Sequence, residues 1–418
     1  MTDAAPRARW KRDTAVFLSG QTASMFGSML VQYAIMWYLT LETGSGVVLT
    51  LSIVFGMLPQ AIVSIFGGVW ADRLNRRVLI VAADASIAAT TLVLAIVMLS
   101  GYKELWLIYL ALAIRSTGAG IQQPAVMALI PQIVPTEHLM RVNGLFQTIS
   151  SGIMLVAPAV GAAIYAVASI EAIFFIDVVT AIIGILLLLT IKVPTLRAPD
   201  DRKGYFTDLV LGLKYTRAHR FALWLIAIYA IMMILGAAPS YLTPLFVARE
   251  FGEDIWLLAI NELSFSIGML AAGATVAAWG GMRNRVLMIV LACLVFGVLN
   301  IGLGLSPVAW LFFVFMFCSG ATIPFMATPS MTLLQERVEP EFHGRVFGLV
   351  NVAMTMGMPI GMMLFGPLAD VVDLVWLFLA AGMLSFIAIV VAVGVPAGRE
   401  ALRTGADRPA AATEQAAV

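Results

Sequence analysis

Charged residues are scarce in this sequence. Only 12% of its 418 residues are Asp, Glu, Lys or Arg, whereas 61% are hydrophobic and the mean hydropathy is +0.97. Soluble domains carry roughly 25% charged residues. The composition therefore excludes an ordinary water-soluble protein and predicts a chain that lies largely within a lipid bilayer. The net charge of +1 is itself uninformative about nucleic acid, because the charges are divided between the two sides of the membrane, and no nucleic-acid partner is expected.

Cysteine and histidine are also rare. Cys293 and Cys318 both fall inside apolar runs, so a disulfide framework is not expected. The three histidines are scattered in or beside connections, at His138, His219 and His343. No lysine follows a glycine, so the phosphate-binding Gly-x-x-x-x-Gly-Lys loop is absent, which excludes an ATP-driven pump in this single chain. The sequence predicts neither an enzyme, nor a metal site, nor a cofactor.

Long apolar runs are abundant, and about 20 apolar residues suffice to cross the hydrocarbon core of a bilayer. The first run is too long for a signal-peptide core and has no cleavage site after it, so we expect it to be retained. The connections are too short for a separate globular domain. The sequence predicts an all-α integral membrane fold with twelve transmembrane helices, at about 14–39, 46–70, 78–100, 105–130, 144–167, 170–191, 220–247, 254–279, 285–305, 308–334, 345–369 and 373–395.

These spans fall into two sets of six, joined by a polar linker. In the linker, Phe206, Leu209, Val210 and Leu213 recur at helical spacing, which predicts an amphipathic helix on the membrane surface. The predicted organisation is a cytoplasmic N-terminus over 1–13, a six-helix bundle over 14–191, the linker over 192–219, a second bundle over 220–395 and a disordered cytoplasmic tail over 396–418.

Basic residues are divided unequally between the two sides of the predicted membrane. The N-terminus, the even-numbered connections and the tail hold 22 of the 25 Lys and Arg residues. The opposite side has only Lys103 and Arg249, and Arg115 lies within a span. Cytoplasmic segments are the ones enriched in Lys and Arg. Both termini are therefore predicted to be cytoplasmic in a multi-pass protein of the inner (cytoplasmic) membrane.

The chain also repeats itself. Arg141-Val142-Asn143-Gly144-Leu145 opens the fifth span, and Arg345-Val346-Phe347-Gly348-Leu349 opens the eleventh, 204 residues later. Arg76-Arg77-Val78-Leu79-Ile80 and Asn284-Arg285-Val286-Leu287-Met288 open the third and ninth spans, 208 residues apart. Two matched pairs at nearly one offset predict two parallel six-helix repeats with a binding site between them.

A charged turn separates the second and third spans. The segment from Gly68 to Arg77 reads Gly-Val-Trp-Ala-Asp-Arg-Leu-Asn-Arg-Arg, with Asp72, Arg73 and Arg76 among its charged residues. A turn this short has no room for a soluble domain, so the two runs are predicted to be adjacent membrane helices. A simpler interpretation is that these arginines only anchor a helical hairpin on the cytoplasmic side.

Four ionisable residues lie well inside predicted spans: Asp84, Arg115, Asp177 and Glu262. A charge in hydrocarbon costs at least about 2.5–3.5 kcal/mol, so such residues normally face a partner or an aqueous cavity. Arg115 and Asp177 lie at similar depths and could form an ion pair, whereas Glu262 has no basic residue at its depth. Glu262 is therefore the first candidate for a proton-coupling or cation-binding acid, followed by Asp177, and Asp84 could instead fix the inner ends of helices.

Uncharged polar residues and methionines form stripes at helical spacing along several spans. These stripes could face a central cavity, although small polar residues also commonly pack helices together. The predicted cavity residues are Gln21, Ser28 and Gln32 in span one, Met57 and Gln60 in span two, Gln122 in span four, Tyr229 and Met233 in span seven, and Ser266 in span eight.

The charged turn over 68–77, the stretch Arg115–Ala125 and the stretch Gly344–Leu349 together resemble the major facilitator superfamily. The similarity extends over nearly the whole chain. It is strongest to the bacterial drug and siderophore exporters, which include macrolide efflux pumps and the enterobactin exporter. The resemblance implies that Asp72 latches a cytoplasmic gate near Arg345, and that Arg115 matches the family's span-four arginine, which is tied to proton coupling.

Two features depart from the family pattern. In the antiporter motif of span five, Ala157 and Ala162 replace glycines and the spacing is off by one. The turn over 281–285, between the eighth and ninth spans, has no aspartate that would correspond to Asp72. Any charge latch of this kind is therefore expected on one side only.

The sequence and the resemblance together predict a secondary active transporter that exports amphipathic small molecules of drug or siderophore type. The expected mechanism is proton antiport by alternating access, in a monomer embedded in the lipid bilayer. An uptake permease of the same fold is an alternative, because the residues alone do not set the direction of transport. A non-transporting receptor or a lipid scramblase is a further alternative.

Overall fold

The computed structural model describes residues 9–191, 213–339 and 342–404. The described residues form helices and connections, without strands. The helices are α1 (Trp10–Thr43), α2 (Gly46–Arg73), α3 (Arg76–Leu99), α4 (Leu105–Ile133), α5 (Leu139–Val167), α6 (Ile170–Leu189), α7 (Arg220–Leu235), α8 (Ala237–Tyr241), α9 (Thr243–Glu250), α10 (Ile255–Trp279), α11 (Arg285–Gly304), α12 (Ala309–Arg337), α13 (His343–Leu368), α14 (Leu374–Gly394) and α15 (Pro396–Thr404).

Ten of the helices in the described ranges are long and apolar enough to cross a membrane. The two other predicted spans also fall on helical segments. The first is α1, a helix of 34 residues that carries the polar stripe of span one and a charged first turn. The other, over 220–247, is divided into α7, α8 and α9. Pro239 and Pro244 lie in its two short pieces, where proline cannot donate a main-chain hydrogen bond.

The chain divides into two compact units. The first unit contains Met1–Thr43 and Leu51–Arg202, and the second contains Gly44–Thr50 and Lys203–Val418. This division follows the two predicted bundles except at 44–50, the beginning of α2. Most of the predicted linker lies outside the described residues, including three of the four residues of its apolar face, and 213–218 are helical.

Within the first unit, α1 packs on α5 and α6, and α3 packs on α4 and α6. The contact between α1 and α6 is close because glycine faces glycine. A Cβ atom on Gly20 would lie 3.2 Å from the carbonyl oxygen of Gly184, and one on Gly184 would lie 2.9 Å from that of Gly20. Such small-residue contacts are the usual means of close helix packing in membranes.

The second unit repeats these neighbour relationships. Helix α7 packs on α13 and α14, and α11 packs on α12 and α14. The repeat extends to helix capping. The Asn75 side chain accepts a hydrogen bond from the Arg77 main-chain N–H at the start of α3, and the Asn284 side chain accepts one from the Leu287 N–H at the start of α11. An asparagine side chain thus caps the first turn of both helices, through the second helical residue in α3 and the third in α11.

The prediction of a disordered tail over 396–418 is partly wrong, because Pro396–Thr404 forms α15. Its last carbonyl groups are bound by side chains from other helix ends. Arg337 Nη2 donates to the Thr404 carbonyl at 2.6 Å, and Asn284 Nδ2 donates to the Leu402 carbonyl at 2.9 Å. These contacts satisfy groups that a helix end leaves unpaired. The remainder of the tail, 405–418, lies outside the described residues.

Candidate functional site

Arg115 and Asp177 form a buried ion pair in the first unit. Arg115 on α4 is 9% exposed and Asp177 on α6 is fully buried. The distance from Arg115 Nη1 to Asp177 Oδ2 is 2.6 Å, as their similar predicted depths suggested. The Thr91 hydroxyl on α3 lies 3.1 Å from the same oxygen, and Ser28 on α1 donates to Oδ1 at 3.3 Å. Both carboxylate oxygens of Asp177 therefore have partners.

Gly27 brings α1 close enough for this arrangement. A Cβ atom at residue 27 would lie 2.9 Å from the Asp177 Cα atom and 2.1 Å from the Thr180 hydroxyl oxygen. Any larger residue would force α1 and α6 apart. The glycine thus places the adjacent Ser28 within hydrogen-bonding distance of Asp177.

Asp84 lies at a second level of the same helices and is only 2% exposed. Its Oδ1 atom accepts hydrogen bonds from Ser24 Oγ at 3.2 Å and from Gln122 Nε2. Its Oδ2 atom has no hydrogen-bond partner among the described residues. Arg115 binds Asp177 rather than Asp84, so Asp84 lacks a cationic partner in the described part of the chain.

The two carboxylates belong to one polar ladder, which we define as Ser24, Ser28, Asp84, Thr91, Arg115, Gln122 and Asp177. One group of contacts surrounds Asp84 and the other surrounds Asp177. The members of the two groups lie one turn apart on α1 and seven residues apart on α3 and α4, which is about 10 Å at 1.5 Å per residue. With every group ionised, the ladder would hold two negative charges and one positive charge. Uptake of one proton or one cation at Asp84 makes it neutral.

Glu262, the first candidate from the sequence, lies on α10 in the second unit and is partly buried. Its neighbours include Asn261 and the Tyr241 ring of α8. No ion pair within the described ranges includes Glu262. Glu262 therefore stays a candidate proton-coupling or cation-binding acid.

The second unit also contains a small apolar cavity of about 30 Å³. Among the described residues that line it, only Ser240 and Thr322 bear hydroxyl groups, and none is charged. Methionine and phenylalanine supply six further lining residues: Met232, Met233, Met326, Met358, Phe265 and Phe296. Methionine side chains adapt to ligands of different shape, so this cavity suits apolar groups.

The predicted cavity residues are distributed more widely than their stripes suggested. Ser28 and Gln122 belong to the polar ladder, and Met233 lines the apolar cavity. Gln60 instead contacts α4, because its amide donates to Gln123 Oε1 at 3.2 Å and its main-chain N–H donates to Ser116 at 2.9 Å.

The other five differ in burial. Gln21, Tyr229 and Ser266 are buried and Met57 is partly buried, and none of them lines the apolar cavity. Gln32 is exposed. The stripe on α1 therefore does not face a single environment along its length.

The charged turn is described only in part. Arg76 Nε donates to the Ala71 carbonyl at 2.8 Å, and Arg77 donates to the Leu189 carbonyl at the end of α6. Both arginines thus bind main-chain groups at helix ends within the first unit. The side chains of Asp72, Arg73 and Arg345 lie outside the described set, as does the environment of Gly68, so the latch expected there remains a prediction.

Thr91 and the pair Arg249–Asp370 were missed as candidate residues. Thr91 had a sequence signal, since it lies seven residues after Asp84 and so faces the same side of α3. Arg249 had one as well, because it and Lys103 are the only basic residues in the predicted outer connections. Each pairs with an acid: Lys103 lies 3.4 Å from Glu171, and Arg249 lies 3.7 Å from Asp370.

Comparisons with known proteins agree with this architecture. The sequence matches the Major Facilitator Superfamily over residues 17–299 and 253–415. It is 32% identical to macrolide efflux protein A of Streptococcus pyogenes over 380 residues, which covers 90% of this chain and 94% of that protein. It is 20% identical to the staphyloferrin A transporter of Staphylococcus aureus, covering 88% of this chain and 93% of that protein. The fold is similar to the crystal structure of the nucleoside transporter NupG, with a TM-score of 0.70, 14% identity, and coverage of 92% and 99% of the two chains.

Proposed function

This chain belongs to the Major Facilitator Superfamily, and we propose that it is a secondary active exporter of amphipathic small molecules. As a member of this family it is a multi-pass membrane transporter of small molecules and not an enzyme. The proposal adds the direction, the cargo and the coupling ion. Transport would occur by alternating access, and a proton would enter as the cargo leaves across the cytoplasmic membrane.

The main support for proton coupling is the excess negative charge of the polar ladder, which contains two aspartates and one arginine. Arg115 neutralises Asp177, and removing either partner of a buried pair leaves an uncompensated charge. Asp84 is as deeply buried but has an unpartnered oxygen, and an isolated charge in hydrocarbon is costly. Asp84 is therefore a stronger proton-binding candidate than Asp177, whose charge Arg115 compensates. Glu262 is the corresponding candidate in the second unit.

The cargo class is supported by the apolar cavity and by the comparisons. The described residues that line this small cavity are uncharged, and methionine side chains that move aside would let it take an apolar substituent of the cargo. The similarity to macrolide efflux protein A favours macrolides and export. The staphyloferrin A transporter makes a siderophore the second class to test. An uptake permease would share the fold and the ladder, so direction is measured separately.

The predicted cytoplasmic latch belongs to the same proposal. Asp72 would bind near the N-terminal end of α13, beside Arg345, because the partial positive charge of a helix N-terminus attracts an anion. Closing this side would be one half of the transport cycle. The expected assembly is a monomer.

Transport in proteoliposomes with an imposed pH gradient tests the proposal. With a radiolabelled macrolide as cargo, we expect gradient-driven accumulation by the parent protein and its loss in Asp84→Asn or Glu262→Gln. Macrolide binding and downhill exchange without a gradient should persist, because only the proton step is removed. Glu253→Gln, which changes an exposed carboxyl group before α10, is the matched control and should transport normally.

Different results would reject the proposed direction of transport and the proposed proton coupling. Undiminished gradient-driven transport by both Asp84→Asn and Glu262→Gln would reject the proton-coupling role of these acids. Accumulation on the cytoplasmic side in energised cells would reject export and favour a permease. Substituting a siderophore for the macrolide in the same assay separates the two cargo classes.

A further inference from the structure

Asp370 caps a helix that begins more than 300 residues earlier in the chain. It follows α13, and its carboxylate lies at the N-terminus of α2 within the second unit. Oδ1 accepts a hydrogen bond from the Gly46 main-chain N–H at 2.6 Å. Oδ2 accepts from the Val47 N–H at 3.0 Å and from the Ser45 hydroxyl at 2.7 Å. Asp370 thus satisfies main-chain donors that the first turn of a helix cannot pair internally.

Arg249 joins the same group of contacts from the last turn of α9. Its Nη2 atom donates to the Gly44 carbonyl at 2.6 Å, and its Nη1 atom donates to the Ala369 carbonyl at 2.9 Å. Its guanidinium also lies 3.7 Å from Asp370 Oδ1. One arginine therefore binds both the segment that precedes α2 and the segment that follows α13. We call Gly44–Val47, Arg249 and Asp370 the outer latch, because Arg249 lies in a predicted outer connection.

The helices next to the outer latch are in direct backbone contact. A Cβ atom on Gly46 would lie 2.2 Å from the Gly366 carbonyl oxygen. A Cβ atom on Gly366 would lie 1.6 Å from the Thr50 hydroxyl, which donates to the Met362 carbonyl at 3.0 Å. The first turns of α2 thus fit the end of α13 closely, and the fit depends on two glycines.

Helix α9 holds Arg249 at a fixed place. Three residues before it, the Phe246 ring packs on Phe312 and Phe378, with ring centroids 5.1 and 5.2 Å apart. All three rings are buried. The guanidinium therefore extends from an anchored helix, so its contacts require little additional ordering.

The outer latch holds only the beginning of α2. Gly44–Thr50 groups with the second unit, whereas the rest of α2 belongs to the first. We propose that the outer latch is a gate of the transport cycle, which fixes the beginning of α2 on the second unit in one state and releases it in another. This inference rests on the proposed alternating access, but on neither the cargo nor the coupling ion.

The exposure of the outer latch is consistent with release. The Asp370 side chain is 27% exposed and that of Arg249 is 36% exposed, in contrast to the buried pair in the polar ladder. Groups that water can reach recover hydration when their contacts break, so exposed ion pairs stabilise a state only weakly. Repeated opening is thus far less costly here than at Arg115 and Asp177.

Locking the outer latch tests the gate directly. In a background with Cys293→Ser and Cys318→Ser, cysteines at Val47 and Val371, both exposed, can be joined by a reducible bifunctional thiol reagent. We expect the joined protein to bind a radiolabelled macrolide but not to transport it, and reduction to restore transport. Transport at the unlinked rate by the joined protein would overturn the proposal.

Weakening the outer latch gives a second test that requires neither cargo nor a pH gradient. In the same background, Asp370→Ala should raise the rate at which a membrane-impermeant maleimide labels Val47→Cys by severalfold. Asp373→Ala is the matched control, because Asp373 caps its own helix through the Val375 N–H at 3.0 Å. An equal labelling rate in parent, Asp370→Ala and Asp370→Asn proteins would overturn the gate even if macrolide export is confirmed. A rise specific to Asp370→Ala supports it even if no macrolide is transported.

A charge exchange separates helix capping from simple ion pairing. In the doubly substituted Arg249→Asp, Asp370→Arg protein an ion pair could form again, but the main-chain donors of Gly46 and Val47 would face a cation. We therefore expect labelling to remain fast. Restoration of the parent labelling rate would show that capping by Asp370 is not what holds α2.

Discussion

Arg115 and Asp177 are joined at 2.6 Å inside the first unit, although 62 residues separate them in the chain. Two hydroxyl groups complete the coordination of the carboxylate, those of Ser28 and Thr91. The pair fixes α4 against α6 and leaves Asp84 as the uncompensated acid of the polar ladder. Asp177 is paired with Arg115 and Asp84 is not. We therefore expect substitutions of the two aspartates to differ in their effects on stability and transport.

The two buried aspartates should differ in their effect on stability. Asp177→Asn leaves the Arg115 charge buried without a partner, and breaking a buried pair in this way costs about 3–5 kcal/mol of unfolding free energy. Asp84→Asn removes an unpaired charge and should leave stability unchanged or raise it. Thermal unfolding in detergent measures both. Greater destabilisation by Asp84→Asn than by Asp177→Asn would contradict the assignment of the ion pair.

Gly27→Ala should loosen the ladder without changing any of its polar groups. The added methyl group would overlap Thr180 and Asp177, and overpacking of this kind costs about 1–3 kcal/mol. Gly152→Ala on α5 is the matched control, because a Cβ atom there meets nothing within 4 Å. In a helix interior that change should be neutral or stabilise by about 0.5–1 kcal/mol. Equal melting temperatures for the two variants would show that the close contact at Gly27 is not needed.

Filling the apolar cavity should block the cargo. Met326→Trp places a larger ring in a cavity of only about 30 Å³ and should weaken macrolide binding by at least tenfold. Met140→Trp, at a strongly exposed position on α5, serves as the control and should bind normally. Equilibrium binding to purified protein is the measurement. Unchanged affinity in Met326→Trp would place the macrolide site elsewhere.

The outer latch should hold equally well throughout the physiological pH range. Burial alone would raise the pKa of Asp370, but hydrogen bonds from Ser45, Val47 and Gly46 and the Arg249 charge outweigh it and hold this pKa below its ordinary value of 3.8. A carboxyl group with a lowered pKa contributes its full stabilisation above its ordinary pKa and loses it only as the pH falls through the lowered one. The ratio of Val47→Cys labelling rates in Asp370→Ala and parent proteins should therefore be constant between about pH 5 and 8. A ratio that approaches one across that range would identify a different titrating group.

Much of the candidate site could be predicted because position along a membrane helix is readable from the sequence. Each residue rises 1.5 Å, so the similar depths of Arg115 and Asp177 follow from counting residues to the ends of their spans. The same counting places Asp84 near the cytoplasmic end of its span. It did not indicate that Ser24 and Gln122 would bind Asp84, because that depends on how each helix is rotated about its axis.

The sequence by itself determined that this is a membrane protein built from two repeated bundles. Apolar runs of spanning length, few charges and the doubled Arg-Val pattern are local properties, and the cost of burying charge makes them decisive. Only the tertiary structure decided which faces of the helices meet. In the structure Gln32 is exposed, the seventh predicted span is divided into three helices, and Asp370 lies at the beginning of α2. The physical reason is that depth in a helix depends on residue number alone, whereas rotation and partners depend on packing between segments far apart in the chain.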